Sequence, residues 1–167
     1  AIFKLAESVD PERAVPALVS AASDPVAEVR NNAIAHLAAT RSGAARTPLL
    51  ALLDDPEDFV RMNALLALAE LRAEEILDRA PAFLSADNSW TRAAAVAALG
   101  TLGSEAGLPL VLEAMTDPDA RVRRDAVVSL LRIGSPGARP ALRRALVDDD
   151  YEVRVEVAEA LDRLGHD

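Results

Sequence analysis

Five arginines, Arg30, Arg61, Arg92, Arg123 and Arg154, stand 31 residues apart with no insertion or deletion between them. A fixed period of this length along most of a chain is the signature of a repeat architecture. Other rows keep the same step. The position before each arginine holds Val29, Val60, Thr91, Val122 and Val153; three after it come Ala33, Ala64, Ala95, Ala126 and Val157; seven after it come Leu37, Leu68, Leu99, Leu130 and Leu161. These offsets return to one side of a helix, so they form a single apolar stripe on a helix B. Asp24-Pro25, Asp55-Pro56 and Asp117-Pro118 precede it and read as an N-capping carboxylate with a proline in the first turn. Gly103, Gly134 and Gly165 read as left-handed C-caps.

Upstream of each B helix lies a shorter apolar helix A, with its later turns at 16–22, 47–53, 109–115 and 140–147. Each repeat is thus an antiparallel helix pair, which cannot bury its apolar face alone and must stack on its neighbours. The expected fold is all-α, an α-solenoid (superhelix) of about five 31-residue antiparallel helix-pair repeats in one domain. Residues 1–10 form the end of a truncated repeat, followed by repeats at 11–41, 42–72, 73–103, 104–134 and 135–167.

Composition narrows the function. Apolar residues make up 51% but aromatics only 3%, which suits closely packed helices with aliphatic cores. No stretch reaches the roughly 18 apolar residues of a membrane span, and the opening residues lack the order of a signal peptide. The absence of cysteine excludes disulfides and thiolate chemistry and fits a reducing cytoplasm, which is the expected location. With 27 acidic against 18 basic residues, the net charge of −9 argues against a phosphate-backbone footprint. Nucleic acid and membrane are therefore not expected partners.

The pattern Asp-Pro-x-x-x-Val-Arg-x-x-Ala-x-x-x-Leu resembles HEAT repeats, specifically the short bacterial kind also found in phycobilin lyases. The resemblance implies that B helices line the concave face and that the Asp and Arg rows form a ladder between adjacent repeats: Asp24, Asp55, Asp117 and Asp148 with Arg30, Arg61, Arg92, Arg123 and Arg154. The third repeat departs from it, with Ala86 in the Asp row. From the residues alone, the arginines read either as an anion-binding track or as partners of carboxylates in the same or a neighbouring repeat, which a planar fork suits better.

Two irregularities stand out. Ile2 falls in the Ala row and Ala6 in the Leu row, so the chain starts in mid-repeat; further repeats of a longer chain are expected at the N-terminal face, against Ile2, Phe3 and Leu5. The last B helix is polar, with Glu156, Glu159, Asp162 and Arg163, as a closing repeat would be. In repeat three, Pro81 sits three residues later than the row of Pro16, Pro109 and Pro140, so its helix A is expected to be bent or shortened.

No catalytic set assembles. His36 and His166 lie in different repeats outside any metal-ligand spacing, and neither a nucleophile elbow nor a phosphate-cradling loop occurs. No cofactor or metal is expected. Acidic residues crowd the turns ahead of the B helices, where capping and the helix dipole favour them; an acidic ridge for a basic partner is the alternative. The candidate contact surface is Phe59, Met62, Asn63 and Leu66 in the second repeat with Trp90 and Ala94 in the third, an apolar patch with a polar rim. The expected function is a non-catalytic scaffold for a protein or peptide on the concave face. A phycobilin-lyase-like enzyme or enzyme subunit is the alternative, and a nucleic-acid-binding HEAT-like protein a lesser one.

Overall fold

The structure, a computed structural model, describes residues 11–165; Ile2, Phe3, Leu5 and the rest of the truncated repeat lie outside the described residues. Among these it contains ten α-helices and no strand: α1 (Pro11–Ala21), α2 (Ala27–Thr40), α3 (Arg46–Ala51), α4 (Asp58–Glu70), α5 (Ile76–Leu84), α6 (Ser89–Leu102), α7 (Leu108–Ala114), α8 (Ala120–Ile133), α9 (Arg139–Ala145) and α10 (Tyr151–Gly165). Odd numbers are A helices and even numbers B helices, and the fold is an α-solenoid. The chain divides into two compact units, 1–73 and 74–167.

Each unit has an aliphatic core. In the first, Leu18, Leu37, Leu49, Leu53, Leu65 and Leu68 are fully buried. In the second, Val96, Leu99, Val111, Val122, Leu130, Leu142 and Val157 belong to one cluster. Each such side chain contributes roughly 2 kcal/mol by leaving water. The stripe positions account for much of this core, since Ala33, Ala64, Ala95, Ala126 and Val157 are all buried. Thr91 stands where the neighbouring repeats carry valine, and its buried Oγ1 has no hydrogen-bond partner. Thr91→Val keeps the shape and removes that orphaned hydroxyl, so thermal denaturation should show a gain of about 1 kcal/mol; an unchanged or lower melting temperature would count against a dry site.

The helix starts differ from the expected caps. The N-cap residues are Val26, Glu57, Asn88 and Asp119, all in extended backbone, so Asp24, Asp55 and Asp117 each lie two residues ahead of an N-cap. Each row carboxylate instead closes a turn by accepting from the amide two residues on: Val26 to Asp24 at 2.8 Å, Glu57 to Asp55 at 3.0 Å, Asp119 to Asp117 at 2.8 Å and Asp150 to Asp148 at 2.9 Å. The following prolines occupy that turn, outside the first helical turn. True side-chain caps come from Asn88, accepting from the Trp90 amide at 3.0 Å, Asp119, accepting from the Arg121 amide at 2.9 Å, and Asp150, accepting from the Val153 amide at 3.1 Å.

Helix ends follow the glycine reading in part. Gly103 and Gly134 are left-handed at φ 67° and 70°, and the equivalent positions of repeats one and two hold Arg41 and Arg72 at φ 50° and 55°. Pro81 does not shorten α5, which continues three residues beyond it and, at 9 residues, is longer than α3, α7 and α9. Proline removes only one backbone bond, whereas Ile76, Ala80 and Phe83 anchor the helix through a buried face.

Candidate functional site

The arginine row is committed to structure wherever a carboxylate is available. Arg30 donates from Nε and Nη2 to both oxygens of Asp55 at 2.6 and 2.8 Å, and from Nη1 to the carbonyls of Asp24 and Pro25 at 2.9 and 3.1 Å. Arg92 repeats this on Asp117 at 2.7 and 2.9 Å and Arg123 on Asp148 at 2.8 and 2.7 Å. Each fork therefore holds its own turn through carbonyls and clamps the turn of the next repeat, 25 residues on. Hydrogen bonding from these guanidiniums keeps the carboxyls of Asp55, Asp117 and Asp148 below the usual range, against burial that pushes them up.

Arg61 differs. It keeps the carbonyls of Asp55 and Pro56, at 2.6 and 3.0 Å, but its carboxylate partner is Asp58, three residues away on α4. The Asp row holds Ala86 at the next position. Arg154 bonds the Asp148 and Asp149 carbonyls at 2.6 and 3.0 Å.

In the first unit, the surface named from sequence is open on α4: Phe59 is 40% exposed, Asn63 is exposed, and Met62 and Leu66 are half-buried. Asn63 and Leu66 line a groove of about 510 Å³ between α2 and α4, together with Asn31, Ile34, Ala38 and Glu70, whereas Phe59 and Met62 lie outside it. Asn63 Nδ2 donates to Asn31 Oδ1 across the groove at 2.6 Å. The repeat register pairs Asn63 with Asn32, so nothing in the rows pointed to this bond.

In the second unit, Trp90 is 59% exposed, and the Arg121 guanidinium lies 3.4 Å from its ring centroid. Residue 121 is one 31-residue step beyond 90, so the rows contained this stack and only the side-chain chemistry was overlooked. Ala94 must be withdrawn from the contact surface: it is 8% exposed, its methyl being covered by packing. Asp125 was also missed. This carboxylate is half-buried on α8, and burial pushes its pKa up against the attraction of Arg124, Arg121 and Arg132.

Among the described residues no group of three or more His, Asp or Glu side chains could hold a metal ion, and no helix is long and apolar enough to cross a membrane. No curated protein matches the chain. Its fold is similar to that in the complex of CpcE and CpcF of phycocyanin lyase from Nostoc sp. PCC7120, with a TM-score of 0.73 and 21% identity, covering 89% of this chain and 98% of that one. A designed armadillo repeat protein in complex with the peptide (KR)4 gives a TM-score of 0.70 and 26% identity over 98% of this chain and 85% of that one. An engineered protein gives 0.68 and 22% over 98% and 84%. The family described as HEAT repeats matches residues 1–69, 47–132 and 108–167, which together span the chain. With its helix pairs and its ladder of arginine forks, the chain belongs to the HEAT-repeat family.

Proposed function

We propose that the chain is a non-catalytic scaffold that binds a protein or peptide along its B helices. The groove between α2 and α4 carries this reading. Its floor is apolar, with Ile34, Ala38 and Leu66, and its rim carries amides. In the Asn31–Asn63 pair each amide spends one group on the other, leaving an acceptor on Asn63 and donors on Asn31. That is the complement of a peptide unit, and an apolar floor with a few placed polar groups is the usual make-up of a binding site. The peptide-bound armadillo protein of similar fold supports the same use of a helical repeat surface. Similarity to the phycocyanin lyase complex at 21% identity carries the fold alone, so no lyase chemistry is proposed.

Selection from a random peptide library against the immobilised protein tests the reading. Peptides should enrich, and Leu66→Asp should weaken their binding at least tenfold while the melting temperature stays within a few degrees, because Leu66 is only half-buried. No enrichment, or loss of the fold along with binding, would contradict it. A covalent mass change on a co-expressed substrate would point to an enzyme instead.

A further inference from the structure

The B-helix face of the second unit carries an aromatic plate beside carboxylates that the fold leaves unsatisfied. Trp90 presents an exposed indole whose stacking with Arg121 shows that the ring accepts a guanidinium. One turn further along α8, the half-buried Asp125 makes no hydrogen bond or ion pair among the described residues. Three arginines attract it without bonding to it: Arg121 stacks on Trp90 with its Nη1 left without a hydrogen-bond partner, Arg124 pairs with Glu152, and Arg132 donates to the Thr101 hydroxyl at 3.3 Å. Burial raises the Asp125 pKa against the pull of the three arginines, and the negative charge of Glu156 on α10 adds to the rise. A half-buried carboxylate without a partner costs stability that an incoming cation would restore.

We propose that this face takes the lysine and arginine side chains of a basic, extended partner segment, seated against Trp90 and closing on Asp125 and Glu156. The inference rests on the scaffold reading and adds the partner's charge class. Complementarity selects it: the chain carries −9 overall, and Asp125 and Glu156 stand close together here, whereas Glu152 and Glu159 are already held by Arg124 and Arg163. An acidic segment brings no cation to Asp125, and a neutral one leaves it unpaired.

Trp90 is the sole tryptophan, so its fluorescence reports on the site. A titration of the full chain with an alternating Lys/Arg octapeptide is expected to shift its emission saturably, with affinity falling as salt rises. Asp125→Asn should weaken binding about tenfold without lowering the melting temperature, and Glu156→Gln severalfold; an alternating Glu/Ser octapeptide should not bind. Equal binding of the Glu/Ser peptide, or Lys/Arg binding indifferent to both substitutions, would overturn the inference and leave the scaffold reading standing. Failure of both peptides would also overturn it, while the reading itself would fall only with the library selection and Leu66→Asp.

Discussion

Asp117→Asn is expected to lower the unfolding free energy by about 2 kcal/mol, less than the roughly 3–5 kcal/mol for breaking a fully buried pair because solvent reaches the rim. The Arg92 and Asp117 side chains are 13% and 10% exposed, so the guanidinium left behind is largely cut off from water. Asp58→Asn, on an Asp that is 52% exposed, should change stability by less than about 1 kcal/mol. Urea denaturation of the two variants checks the contrast; equal effects would mean that the rungs do not hold repeats together. Acid should act on the same bonds. Because the folded-state pKa values of Asp55, Asp117 and Asp148 are depressed, their contribution is present above the unfolded value of about 3.9 and is lost as pH falls through the folded values. Stability should therefore be steady above about pH 5 and fall below about pH 4, and less steeply in Asp117→Asn.

Gly100→Leu should cost about 3 kcal/mol or more and disturb the α6–α8 contact. A Cβ at residue 100 would stand 2.4 Å from Ser129 Oγ and 2.7 Å from Ser129 Cα, so backbone as well as side chain must shift. The same contact carries the buried bond from Ser129 Oγ to the Val96 carbonyl at 2.9 Å. Gly100→Ala should cost less, since better helix propensity returns up to about 1 kcal/mol. Chemical denaturation gives both values, and a Leu variant as stable as the parent would show that these helices slide apart freely.

The architecture was legible because it follows from repetition: rows 31 residues apart named the helix pairs, their buried stripe and the arginines. What the rows could not carry is geometry between positions that do not repeat. Residues equivalent to Gly100 are Ala38, Ala69, Leu131 and Asp162, so nothing in the row marks the close approach to Ser129. The Asp row reads as a cap because Asx turns and N-caps use the same residue types, and only the backbone shows that Asp55 and Asp117 precede the N-cap residues by two. Of the candidate surface, Asn63, Leu66 and Trp90 lie where partners can reach them, whereas Ala94 does not, because exposure of a small side chain depends on how closely neighbouring helices pack.

Hydrogen–deuterium exchange of the full chain with and without a library-selected peptide tests most directly whether the B helices form the binding face. Slowed exchange should concentrate in α2 and α4, which line the groove, with the A helices α1 and α3 of the same unit unchanged. Protection confined to the A helices would contradict the proposed function.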